Sequence, residues 1–106
     1  MVVIEPEERD VPTYVVCMTL SIAVDRYPEF ESMMAIEAPL TRAFAGCELF
    51  EIYAGERPGE IIFLEHWRSQ ADSQAYTAWR TERGDMARLG AFFTAPPCFK
   101  ALSRLP

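Results

Sequence analysis

The run at residues 14–24 (YVVCMTLSIAV) constrains this chain most, because neither of its faces carries a charge. Its period is two, and side chains of an extended strand alternate between faces. Tyr14, Val16, Met18, Leu20, Ile22 and Val24 therefore share one side, and Val15, Cys17, Thr19, Ser21 and Ala23 the other. Both sides hold residues that water solvates poorly, so a sheet built on this strand needs covering on both.

The rest of the chain supplies only one helical layer. Asp25 can cap a helix that has Pro28 in its first turn and Glu29 and Glu31 near its positive end. Phe30, Met33, Met34, Glu37, Leu40 and Phe44 recur at helical spacing, with Ile36 beside them. Pro39 is the misfit and predicts a kink or break near Glu37 or Ala38, and Gly46 closes the element. Residues 47–54 (CELFEIYA) and 60–67 (EIIFLEHW) alternate as strands, and the short turn GERPG between them predicts an antiparallel hairpin. Ser69 can cap a second helix, with Asp72 three residues on. Gly84 breaks that helix and Asp85 restarts it, with Met86, Leu89, Phe92 and Phe93 as an apolar stripe. Pro96 and Pro97 end it, and residues 98–105 (CFKALSRL) form a last strand.

The order is β-α-β-β-α-β, which predicts an α+β, ferredoxin-like domain over residues 13–106. Its four-stranded antiparallel sheet would carry both helices on one face. The uncovered face predicts a homodimer with two sheets packed together. Residues 1–12, with Glu5, Glu7, Glu8 and Asp10, read as an acidic, flexible lead-in.

Composition narrows the function. A length of 106 residues leaves room for one small domain. A net charge of -6 disfavours nucleic acid as a partner, since phosphate contacts want a basic surface. No apolar stretch is long enough to span a membrane, and nothing resembles a signal peptide, so a cytoplasmic chain is expected. Cys17, Cys47 and Cys98 show neither a zinc spacing nor a disulfide framework, and His66 has no second ligand near it in sequence. No metal or cofactor is expected. His66 should point away from the Trp67 face, toward the open side of the sheet or a partner.

The residues that can carry chemistry lie around the end of the third strand. Glu65 and Trp67 share a face with Ile61 and Phe63. A carboxylate there needs a donor or takes a raised pKa. Trp67 is either core or a wall for a flat aromatic ligand. Tyr76, Trp79, Arg80 and Arg83 follow on the second helix, where an aromatic beside an arginine could hold a phenolate or enolate. The structural alternative pairs these arginines with Glu82 or Asp85. Tyr53 is a further candidate for the same cavity or for the interface.

Three segments then carry a resemblance over residues 13–105. They are AFAGC at 43–47, FLEHWRS at 63–69 with its Glu-x-Trp-x-Ser pattern, and FFTAPPCF at 92–99. With them the chain resembles the antibiotic biosynthesis monooxygenase family of the dimeric α+β barrel superfamily. The resemblance implies a homodimer, and an oxygenase that oxidises phenolic, polycyclic or polyketide-like substrates with molecular oxygen and no cofactor. It implies Trp67, Tyr76 and Arg83 as catalytic residues, with Tyr53, Glu65, Trp79 and Arg80 binding substrate. A non-oxidative cyclase or isomerase, or a small-molecule binding or assembly module, remain the alternatives on this scaffold. The family's histidine on the second helix is replaced here by Tyr76 or Thr77, and the chain has no asparagine. Both departures point away from the haem-degrading branch. They also leave a proton acceptor to be found, since Tyr76 could serve only if Arg80 or Arg83 helped to ionise it.

Overall fold

The computed structural model describes residues 13–105, so the expected lead-in at 1–12 lies outside the described residues. The elements run β1 (Tyr14–Ser21), a 3-10 turn (Val24–Arg26), α1 (Tyr27–Ala43), β2 (Cys47–Ala54), β3 (Glu60–Trp67), α2 (Gln70–Glu82), α3 (Asp85–Gly90) and β4 (Cys98–Ser103). The strands form one antiparallel sheet in the order β2-β3-β1-β4. This is the ferredoxin-like plan, with the second helical segment divided at Gly84, whose φ of 80° is a left-handed conformation that glycine adopts without strain.

Alternation in β1 and β3 places Val16, Leu20, Ile61, Phe63, Glu65 and Trp67 on the helix-covered face, all buried. Phe30 of α1 stacks on Phe63 at 6.4 Å and meets Phe92 edge-on at 6.0 Å, tying the helical layer to the sheet. Each fully buried side chain of this kind, such as Leu20 or Ile61, contributes roughly 1.5–3 kcal/mol. On the opposite face Ile62, Leu64 and His66 are half-buried, while Tyr53 and Leu102 are exposed.

Several local expectations are corrected. Asp25 makes no cap: it sits in the 3-10 turn, and α1 starts two residues later without a side-chain cap bond. Pro39 does not interrupt α1. Its ring removes the hydrogen bond to the Ala35 carbonyl, but both residues are exposed, so water can satisfy that oxygen. The inward stripe of α1 runs through Phe30, Glu37, Ala38 and Thr41, leaving Leu40 and Ile36 exposed. β1 ends at Ser21 because the next residues pair elsewhere. Ile22 bridges Phe93, and the Ala23 amide donates to the Phe92 carbonyl at 2.9 Å. β4 stops at Ser103, short of Leu105.

β2 holds a bulge. Cys47 faces Trp67, yet Leu49 faces His66, so one residue is extra in this strand. The bulge turns Cys47 onto the core while Phe50 and Ile52 keep the helix side. Ser69 caps α2 as expected, accepting from the Asp72 amide at 3.1 Å.

Candidate functional site

Between the sheet and the helices lies a cavity of about 320 Å³. Its floor is Val16, Phe50, Phe63 and Glu65 from β1, β2 and β3. Met33, Met34, Glu37 and Thr41 of α1 form one wall, and Ser73, Tyr76 and Arg80 of α2 another. The mouth is made by more exposed residues, Met86, Arg88, Pro97 and Phe99. The lining is chiefly apolar, and the thioethers of Met18, Met33, Met34 and Met86 can adapt to a ligand's outline.

Glu65 is the polar group on that floor. It is 5% exposed, and its neighbour on the same face, Trp67, is fully buried. The Trp67 indole N–H donates to Glu65 Oε1 at 2.9 Å. Oε2 accepts no hydrogen bond from the described residues. None of their sealed polar side-chain atoms lacks a partner, so Oε2 opens into the cavity. Burial raises the Glu65 pKa above the ordinary carboxylate value, and the indole donor and the Arg80 charge only partly oppose it.

Arg80 anchors the adjoining wall. Its Nε donates to the Tyr76 hydroxyl at 2.9 Å, and one terminal nitrogen donates to Glu37 and to Asp85 Oδ2 at 2.7 Å. The other donates to the Glu37 carbonyl at 3.0 Å and to Thr41 Oγ1 at 2.9 Å. A guanidinium has five N–H donors, and all five are used. The Thr41 and Tyr76 hydroxyls share a 2.7 Å hydrogen bond. Burial raises the Tyr76 pKa despite its bonds to Thr41 and Arg80. At neutral pH Tyr76 is therefore a neutral phenol, and it does not supply the ionised base that the sequence left open. For Asp85 burial acts upward, but its bond to Arg80 and the charges of Arg80, Arg88 and Arg83 hold it below the usual aspartate range.

Of the residues singled out from sequence, the cavity brings together Glu65, Tyr76 and Arg80. Trp67 stands behind this wall, edge-on to Phe44 at 6.2 Å and tilted against Tyr76 at 4.8 Å. Of its two sequence readings, core or ligand wall, it takes the core one. Arg83 pairs with Asp85 at 3.0 Å and stacks over Trp79 at 4.7 Å, outside the cavity. Trp79 packs on Phe44 at 5.2 Å, with Arg80 over its ring at 4.8 Å. The pairing with Asp85 was among the sequence alternatives. Glu82 takes no part in these pairs, and Glu37 is the second partner. Tyr53 lies on the open face of the sheet, donating to Glu51 at 2.6 Å. His66, the chain's one histidine, is on that face too, so no imidazole reaches the cavity. Among the described residues no group of three or more His, Cys, Asp and Glu could hold a metal ion. No helix among them is long and apolar enough to cross a membrane.

Sequence reasoning missed Glu37 and Thr41 as partners. Their four-residue spacing on α1 was the available signal, but Leu40 competed for the same inward face.

A family model described as antibiotic biosynthesis monooxygenase matches residues 13–83. No protein of curated function matches the chain. Rv0793 from Mycobacterium tuberculosis has a similar structure, with a TM-score of 0.78 and 20% identity over 89% of this chain and 96% of that one. A conserved protein from Methanosarcina mazei Go1 superposes with a TM-score of 0.81 at 13% identity, covering 91% and 96% of the two chains. A crystal structure described as an antibiotic biosynthesis monooxygenase gives 0.79 at 15% identity, over 88% of this chain and 99% of that one. At such identities the likeness is one of fold.

Proposed function

The chain belongs to the antibiotic biosynthesis monooxygenase family, and from that premise we propose that it is a cofactor-independent monooxygenase. Its substrate is a phenolic, polycyclic aromatic or polyketide-like molecule held between sheet and helices. The observation that supports this is the largely apolar cavity of about 320 Å³ with one carboxylate oxygen facing into it. In the reaction a ring methylene and one molecule of oxygen become a carbonyl and one molecule of water. Glu65 and Tyr76 touch the substrate, whereas Trp67, Trp79, Arg80 and Arg83 act by holding the cavity wall. The working unit is a homodimer through the open sheet face, where Ile62, Leu64, His66 and Tyr53 become interface residues.

Oxygen uptake with dithranol (1,8-dihydroxyanthrone) tests the reading. One oxygen molecule should be consumed per molecule of the corresponding anthraquinone formed, at a rate above that without protein. Rates equal to the protein-free control with dithranol and with polycyclic hydroquinones would refute it. The Glu65 carboxylate, which has no arginine partner among the described residues, also favours a second reading, a non-oxidative cyclase or isomerase. Turnover that persists without oxygen distinguishes it.

A further inference from the structure

We propose that Glu65 is the catalytic residue that takes the substrate's phenolic or enolic proton. Trp67 then serves the reaction only through Glu65, by holding one carboxylate oxygen so that the other faces the cavity. This rests on the oxygenase reading above and assigns its proton acceptor, which neither the single histidine nor Tyr76 supplies.

The geometry carries the assignment. Glu65 sits on the sheet at the cavity floor, among residues that are themselves buried, and Oε2 has no hydrogen-bond partner among the described residues. The indole N–H fixes Oε1 at 2.9 Å, which sets the plane of the carboxylate and aims Oε2. Trp67 cannot touch a ligand in this cavity, since it is fully buried behind Tyr76 and Phe44. The groups around Glu65 leave it as the available base. Arg80 and Tyr76 of α2 are bonded to each other and to Thr41. From α1, Glu37 is paired with Arg80. From α3, Asp85 is paired with Arg80, Arg83 and Arg88, and Arg88 lies at the mouth. Cys47 of β2, opposite Trp67, keeps its proton because burial raises its pKa.

Arg80 has no free donor, so the deep end offers no preformed anion site. The substrate therefore enters neutral, as a hydroxy-aromatic. Its O–H bond, or the acidic C–H of its keto form, breaks. The proton passes to Glu65 Oε2 and the electron pair stays on the ring system. Dioxygen is the oxidant: it takes electrons from this anion and forms the new C–O bond. Glu65 returns its proton to the outer oxygen of the resulting peroxide. The second C–H of the former methylene then breaks, its electron pair closes the carbonyl as the O–O bond breaks, and its proton passes through Glu65 to the departing oxygen, which leaves as water with the carboxylate regenerated.

The test is anaerobic titration of the full chain with dithranol. Binding is followed by calorimetry, and the ionised ligand by its absorption band across a pH series. Wild type should bind it and show the ionised form above a midpoint pH. Glu65→Gln keeps an acceptor for the indole, so it should bind within about threefold of wild type while the bound ligand stays neutral. Its oxygen consumption should fall by about 100-fold or more. Trp67→Phe should bind and ionise the ligand with its midpoint moved to lower pH, because the lost donor favoured the carboxylate form and its loss makes Glu65 the stronger proton acceptor. Ionisation in Glu65→Gln at the wild-type midpoint overturns the proposal, as does an unmoved midpoint in a folded Trp67→Phe. No binding of dithranol or of a polycyclic hydroquinone by wild type overturns the oxygenase reading and this proposal together. Ionisation that depends on Glu65 but leads to no oxygen consumption overturns the oxygenase reading alone.

Discussion

Replacing Arg80 by methionine should separate a structural arginine from a ligand-binding one. The side chain is 6% exposed and spends all five donors on Tyr76, Glu37, Thr41 and Asp85. Methionine fills similar volume but leaves the Asp85 and Glu37 carboxylates short of a partner. Removing one member of a buried ion pair costs about 3–5 kcal/mol. Arg83 and Arg88 still reach Asp85, so the lower end, about 3 kcal/mol, applies. Loss of the guanidinium over Trp79 adds about 0.5–1 kcal/mol. Against a total stability of about 5–15 kcal/mol this is a large fraction. With a urea dependence of about 1–3 kcal/mol per molar, the midpoint should drop by roughly 1–4 M. The assay is equilibrium urea unfolding followed by tryptophan fluorescence, at one fixed protein concentration for all variants. A cycle with Asp85→Asn should show a coupling energy above about 1 kcal/mol. A loss below about 1 kcal/mol, or no coupling in the cycle, would refute the claim that Arg80 is held as structure.

Asp85 and Glu65 should respond to pH in opposite directions. Asp85 has a lowered folded pKa, so its stabilisation is present above the unfolded pKa and is lost as pH falls through the folded one. Glu65 has a raised folded pKa, so it costs stability as pH rises from the unfolded value toward the folded one. Urea midpoints across pH should therefore show Glu65→Gln equal to or more stable than wild type at pH 7, with that alkaline-going loss removed. Ser69→Ala should cost about 1 kcal/mol through loss of the α2 cap, a fall in Tm of about 4 °C or more by calorimetry. Gly46→Ala should cost more than about 1 kcal/mol in the same assay, because φ is 89° and an added Cβ would stand 2.4 Å from Asp72 Cγ. The proposed dimer is tested by Ile62→Glu on the open sheet face: wild type should sediment as a dimer and the variant as a monomer, with native far-ultraviolet circular dichroism.

Much of the architecture was legible because it depends on local period. Alternation placed β2 and β3 at their observed ends, Ser69 and Gly84 marked where α2 begins and breaks, and the element order implied the sheet. Pro39 misled, since its cost depends on whether the orphaned carbonyl is wet, which only the folded surface decides. The inward face of α1 misled for a related reason. Leu40 outranks Thr41 in hydrophobicity, but the Thr41 hydroxyl is drawn inside by Arg80 and Tyr76, forty residues or so away in sequence.

The site divides along the same line. Sequence alone put Glu65 and Trp67 on one face of β3 and Tyr76 and Arg80 on one side of α2, because side-chain direction follows from strand and helix period. Tertiary structure decided what each does there. It buried Trp67 behind the wall, spent every donor of Arg80, moved Arg83 outside and sent Tyr53 to the other face of the sheet. Those outcomes depend on distances between distant segments, and hydrogen bonds and charges act over a few ångströms, a scale that no spacing along a chain encodes.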